Sequence, residues 1–381
     1  MKRRTIKPRP DWRQKVESQG MLFHSPEGET YWDETAYYEF TSREIDELEK
    51  TTYDLDKMCL QAVEHIITNN LFERFLIPSE FIPFVKTSWE QDEHTIYGRF
   101  DLVYDGAGPP KLLEYNADTP TSLLEAAVIQ WQWLQDSLPA IGHDCDQFNS
   151  IHERLIEAWT SLRDKVIGRV YFTCIADNLE DYITTSYLRD TAMQAKLDTE
   201  YADIGGIGWN PQTREFTAPD SRPMTCIFKL YPWEWMVRED YGPCLIDAGT
   251  VWLEPPWKML LSNKALLVVL SELFPDTPCI PRASFELSAA AASGYVSKPI
   301  LAREGANITV VRNGITLLDT EGDYADSPRI YQELCLLPNY DGNYPVIGSW
   351  MVNGHACGIG IREDKNIVTT NTSRFIPHLF V

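Results

Sequence analysis

Between residues 96 and 116 two extended stretches, YGRFDLVY and KLLEYN, flank Asp105-Gly-Ala-Gly-Pro-Pro110. Turn formers set between β-like runs predict a β-hairpin. Side chains alternate along a strand, so Arg99 and Asp101 share one face, as do Glu114 and Asn116 on the partner. A register that aligns them gathers one cation and three oxygen-bearing side chains. Two carboxylates with an amide oxygen suit Mg²⁺, a hard cation that usually keeps several waters and takes further ligands from phosphates. A solvated polar face with cross-strand ion pairing has the same composition, and the hairpin alone leaves both readings open.

Around this hairpin the chain reads as mixed α/β. Thr41-Ser42-Arg43-Glu44 opens an amphipathic helix over 42 to 75, with Leu48, Leu55, Cys59, Ala62, Val63 and Ile66 at helical spacing. A second helix is expected over 121 to 138. From 150 to 208 helix, strand, helix (182 to 196) and strand (197 to 204) alternate, the βαβ rhythm of a parallel sheet. Cys226–Leu230 reads as a further strand and 263 to 273 as a helix, with a boundary at Glu254-Pro-Pro256. The last third carries short β-like pieces broken by glycine, including YVSKPIL, NITVVRNGITLLD, RIYQELCLL, YPVIGSWMV and GHACGIGIRE. The aromatic run YPWEWM is expected to pack in the interior.

The length of 381 residues allows a catalytic cleft between packed units, and the formal charge of -22 disfavours a nucleic-acid partner. Eight cysteines are diluted through the chain with no CxxC pair, which fits a reduced, cytoplasmic protein. No apolar run is long enough for a membrane span, and the basic N-terminus lacks the apolar centre of a secretion signal.

A second polar set lies downstream: Lys264 in SNKALL, Lys298 in YVSKPI, Arg303 in AREGAN and Arg362 in GIGIRED. Cations beside Gly305, whose missing side chain permits close backbone approach, are what a triphosphate requires. Each alone is also an ordinary surface residue. No phosphate-loop signature is present, and Gly205-Gly-Ile-Gly208 reads as a turn rather than a dinucleotide fingerprint. His143-Asp-Cys-Asp146 and His355-Ala-Cys357 lack zinc spacing and read as structural.

GRFDLVYD with LLEYNADTPTS, then SNKALL, YVSKPI, REGANI, IYQEL and GIGIRED, follow one another as the motifs of the glutathionylspermidine synthase family do. The chain resembles the synthetase part of that family, and most of all its stand-alone bacterial branch of acid–amine ligases, from DWRQK to SRFIPH. The resemblance implies a permuted ATP-grasp fold, with 1 to 144 and 256 to 381 forming the ATP-grasp region around an inserted α/β unit at 145 to 255. It implies ATP and Mg²⁺, with Asp101, Glu114 and Asn116 on the metal and Arg99 and Arg362 as the catalytic arginines. Lys264, Lys298, Arg303 and Gly305 would meet the phosphates, and Gln332, Glu333 and Leu334 would border adenine. Thr119, Glu180 and Asp181 would face the carboxylate substrate, a glutathione-like peptide, and Ser373-Arg374 would stand where the family receives a polyamine, so that Arg374 would repel a cationic acceptor. No room remains before the first motif for the amidase domain of bifunctional members, so conjugate hydrolysis is not expected.

The implied reaction forms an amide through an acyl phosphate, under a mobile lid at 300 to 325. The alternative is a catalytically silent nucleotide- or polyamine-binding protein on the same fold.

Overall fold

The computed structural model describes residues 1–166, 168–287 and 293–381. The predicted hairpin forms as Tyr97–Val103 and Lys111–Asn116, which pair antiparallel with Arg99 opposite Asn116 and Asp101 opposite Glu114. It is the edge of a five-stranded antiparallel sheet that continues through Tyr344–Val352 and His355–Asp364 to Arg374–Ile376. Residues from both ends of the chain therefore build one sheet. Every residue of Tyr97–Val103 is buried, because neighbouring elements cover both of its faces.

The helix Ser42–Thr68 packs on this sheet. Its start is a capping box: Thr41 Oγ1 accepts the Glu44 N–H at 3.3 Å while the Glu44 carboxylate accepts the Thr41 N–H at 2.7 Å, an arrangement that stabilises a helix end by about 1 kcal/mol. Leu48, Leu55, Cys59, Ala62, Val63 and Ile66 form the buried stripe, each large apolar side chain contributing roughly 1.5–3 kcal/mol. The helix stops at Thr68 rather than at 75, because Asn70 takes a left-handed conformation with φ 52 and the chain tightens into a 3₁₀ turn over Leu71–Phe75. The helix predicted over 121 to 138 contains a π-turn at Glu125–Ile129 and runs on as Gln130–Ile141.

The βαβ rhythm folds into a parallel four-stranded sheet in the order Val251–Leu253, Cys226–Leu230, Val170–Cys174 and Thr199–Asp203. Helices Ile151–Arg163 and Leu179–Gln194 pack together, and Trp159, Phe172 and Phe228 bring their rings within 5.4 to 6.2 Å of each other. Gly205-Gly-Ile-Gly208 is a turn, with a 3₁₀ stretch at Ile204–Gly206.

A second antiparallel five-stranded sheet joins Ala283–Ser284, Arg329–Glu333, Gly294–Pro299, Thr309–Arg312 and Ile315–Asp319. Its outer strand Ile315–Asp319 is mostly exposed, and the helix Ala265–Leu273 links this sheet to Ser42–Thr68.

Candidate functional site

A cavity of about 240 Å³ is lined by the hairpin, the second antiparallel sheet and the loops that connect them to the parallel sheet. At its floor Arg99 grips Asp101 through two bonds, Nε to Oδ1 at 2.7 Å and Nη2 to Oδ2 at 3.1 Å, and donates Nη1 to the Thr121 carbonyl at 2.7 Å. Burial works against the Arg99 charge, but Asp101 outweighs it and holds the guanidinium protonated. Gly348, opposite Asp101, makes room: a Cβ there would stand 2.7 Å from Arg99 Cδ. Asn116 donates Nδ2 to Asp101 Oδ2 at 3.2 Å.

Two lysines enter from the far segments. Lys264 Nζ lies 3.1 Å from Glu114 Oε2 and donates to the Ala302 carbonyl at 2.5 Å. Lys298 Nζ donates to the Leu113 carbonyl at 2.9 Å and to Gln332 Oε1 at 2.8 Å. Burial pulls Lys298 down to about 8, with Glu114 resisting. Burial would raise Glu114, yet Lys264 and Lys298 together hold it at about 2. Arg362 also lines the cavity. Its Nη2 donates to the Thr370 carbonyl, and its buried Nε has no partner among the described residues.

Of the three residues expected beside adenine, only Leu334 reaches the cavity wall, next to Cys335 and Leu336. Gln332 stands one layer back, taking the Lys298 ammonium and donating to the Leu112 carbonyl at 2.9 Å. Glu333 is off the wall: its N–H goes to the Arg282 carbonyl at 2.7 Å. The cause is strand alternation, which sends neighbours along Arg329–Glu333 to opposite faces. Gly305 has φ +74, and a Cβ would come 2.7 Å from the Thr369 carbonyl, so the close approach it permits is to this backbone.

At the other end of the cavity Arg303 donates Nη1 to Glu234 Oε1 at 3.0 Å and Nη2 to Thr119 Oγ1. Glu180 and Asp181 sit in the first turn of Leu179–Gln194, whose capping residue Asn178 accepts the Asp181 N–H at 3.2 Å. Burial raises both carboxyls, and the Glu180 charge helps bring Asp181 to about 7.

The sequence reading missed Asp118 and Glu234, which also line the cavity. Asp118 stands inside the LLEYNADTPTS run, but its importance comes from a partner 111 positions away. The YPWEWM segment divides rather than packing wholly inside: Trp233 and Met236 are buried, whereas Tyr231, Glu234 and Trp235 face the cavity. Arg374 is absent from the cavity wall and is already neutralised, by Asp33 at 2.8 Å and Glu363 at 2.6 Å. The expectation that it repels an acceptor amine is therefore corrected.

No cluster of three or more His, Cys, Asp or Glu is placed to hold a metal among the described residues. His143-Asp-Cys-Asp146 and His355-Ala-Cys357 accordingly form no such site, and burial pushes the Cys357 thiol up, away from the reactive thiolate. Asp101, Glu114 and Asn116 fit a different demand. Two carboxylates and an amide on facing strands, with the ammonium groups of Lys264 and Lys298 beside them, have the donor chemistry that suits Mg²⁺.

Comparison with known proteins finds relatives over the whole chain. A protein of Haemophilus influenzae, provisionally named an acid–amine ligase, is 41% identical over 100% of both chains. The trypanothione synthetase of Crithidia fasciculata is 31% identical over 83% of this chain, and the bifunctional glutathionylspermidine synthetase/amidase of Escherichia coli is 28% identical over 91% of it. The chain spans 52% and 59% of those two relatives' lengths. The fold resembles that of a glutathione synthetase-like effector from Globodera pallida, with a TM-score of 0.57 at 11% identity and 98% coverage of each chain. The model for the glutathionylspermidine synthase preATP-grasp family matches residues 3–381, and the chain belongs to that family.

Proposed function

We propose that the protein is an ATP-dependent ligase that joins a carboxylate to an amine through an acyl phosphate. The observation that carries this reading is one cavity holding Asp101, Glu114 and Asn116 on the hairpin, with Lys264, Lys298 and Arg362 converging from residues 264 to 362. On this reading 1 to 144 and 256 to 381 form the ATP-grasp region and 145 to 255 the inserted unit. The sheet shared by Tyr97–Val103 and Tyr344–Val352 supports that division.

The substrate carboxylate attacks the γ-phosphorus of ATP, the bond to the bridging oxygen breaks, and ADP leaves. The amine then attacks the acyl carbon, phosphate departs, and the ammonium proton is lost. Lys264, Lys298 and Arg362 offset phosphate charge, and the burial of the two lysines strengthens such contacts. Arg99, locked by Asp101 and the Thr121 carbonyl, costs no reorganisation when charge develops beside it. Asp101, Glu114 and Asn116 would hold Mg²⁺, which when bound neutralises charge on the phosphate oxygens. Residues 300 to 325 act as the lid that keeps water from the acyl phosphate, with Arg303 tying them to Glu234 and Thr119. A glutathione-like peptide is the favoured acid and a cationic amine the favoured acceptor, given the carboxyl groups Glu180 and Asp181 on the cavity wall.

The test is release of ADP and phosphate that requires both an acid and an amine, using glutathione-like peptides and amino acids against an amine panel with product mass as readout. Nucleotide binding without turnover in every combination would instead establish the catalytically silent binding protein.

A further inference from the structure

Among the buried ion pairs that the mechanism above leaves unused, Lys229 with Asp118 stands nearest the site, since Asp118 lines the cavity. Lys229 Nζ lies 2.5 Å from Asp118 Oδ1, with side-chain exposures of 0% and 1%. Lys229 belongs to Cys226–Leu230, a buried inner strand of the parallel sheet whose other four residues are all apolar. Burying such a pair costs several kcal/mol per ion in desolvation, and an apolar side chain would fill the site more cheaply. The charge therefore calls for an explanation beyond packing.

The partners supply it. Lys229 also donates to the Tyr231 carbonyl at 3.0 Å, while the second oxygen of Asp118 accepts the Trp233 N–H at 2.9 Å. Asp118 is thus clamped from two sides, and each residue after it touches the site. Thr119 Oγ1 accepts from Arg303, the Pro120 carbonyl accepts the Tyr97 hydroxyl at 3.1 Å, and the Thr121 carbonyl accepts Arg99 Nη1 at 2.7 Å. Glu234, next to Trp233, accepts the other arm of Arg303 at 3.0 Å. Asp118, Trp233, Glu234, Arg303 and Thr119 close a ring that ties the loop after the hairpin, the parallel-sheet unit and the 300 to 325 segment together.

We infer that Lys229 is a positioning residue for the ligation, acting through Asp118 to hold the loop Asp118–Thr121 in place beneath the acid substrate. The inference rests on the ligase reading above. Lys229 lines none of the cavity itself, so its effect passes through the loop. Removing its charge leaves the Asp118 carboxylate buried and uncompensated, which frees the loop to move and loosens Thr119, Thr121 and Arg303 together.

Lys229→Met, Asp118→Asn and the neutral double variant are compared with wild type, using Mg-ATP, glutathione as probe acid and spermidine as probe amine. Hydrogen exchange of the same proteins is followed by mass spectrometry. Lys229→Met is expected to raise the KM for the acid at least tenfold while the KM for ATP stays within twofold. The double variant is expected to be no worse than the single, because the pair acts as a unit. Exchange is expected to quicken at 117 to 122 and 301 to 306 but not at 97 to 103. An acid KM within twofold of wild type, equal rises for acid and ATP, or exchange that quickens evenly across the hairpin would overturn the inference. If Lys229→Met does not fold, Asp118→Asn, which breaks the same ion pair from its other side, carries the same comparison. Failure of wild type to release ADP with any acid and amine sinks the ligase reading instead, and the exchange pattern then decides alone whether Lys229 holds the loop.

Discussion

Arg99 and Asp101, two positions apart on one strand, form a two-bond ion pair in the cavity wall, at 2.7 and 3.1 Å. The pair fixes both groups before any ligand arrives, so the carboxylate beside the proposed magnesium position is already oriented.

Asp101→Asn, or Glu114→Gln on the facing strand, is therefore expected to cut magnesium-dependent turnover by about 100-fold, with circular dichroism unchanged. Unaltered turnover in both variants would remove them from the metal site.

Lys298 is buried with a pKa of about 8, so it is charged at neutral pH and loses its charge as pH rises. Nucleotide titration should show Lys298→Ala weakening ATP binding about tenfold, and wild-type affinity falling between pH 7 and 9. Lys111→Ala, at a half-buried position off the cavity wall, serves as the control and should change little.

The Asp181 carboxyl, raised to about 7 by burial and by Glu180, and opposed by Arg303, also feels Glu304. It ionises as pH rises from 6 to 8. Binding of a cationic amine such as spermidine should strengthen across that window, roughly tenfold at most, and Asp181→Asn should flatten the profile. A profile in the variant identical to wild type would place the inflection in another group.

Glu114 makes an acid-stability prediction. Its pKa is held at about 2, below the ordinary 4.5. The folded form thus binds fewer protons than the unfolded chain in that window, and its contribution is full above 4.5 and lost as pH falls toward 2. Glu114→Gln should make unfolding less steeply pH-dependent between 4.5 and 2, as read by denaturant titration.

Arg374→Asp should destabilise rather than improve polyamine use. It replaces a cation that bridges Asp33 and the fully buried Glu363 with a third carboxylate, a loss of about 3 kcal/mol. A selective gain for spermidine, with the melting temperature unchanged, would reverse this view.

What the sequence by itself determined is local in origin. Alternation put Arg99 with Asp101 and Glu114 with Asn116, turn residues made the hairpin, and Thr41 with Glu44 marked a helix start. Motif order carried the family. These signals rest on backbone periods and short-range hydrogen bonds, which neighbours in the chain fix almost alone. Register was beyond them, since it depends on pairing across the sheet, and so were the Asn70 break in the first helix and the side of the strand on which Glu333 falls. Partnerships across long separations were decided only by tertiary structure. Lys229 meets Asp118 across 111 positions, Arg303 meets Thr119 across 184, and Arg374 meets Asp33 across 341. A charged residue written in a sequence carries no sign of whether its charge is free. Arg374 reads as a repelling cation in the sequence because its two carboxylates are brought to it only when distant segments fold together, and Lys229 gives no signal there because its strand reads as apolar until Asp118 arrives.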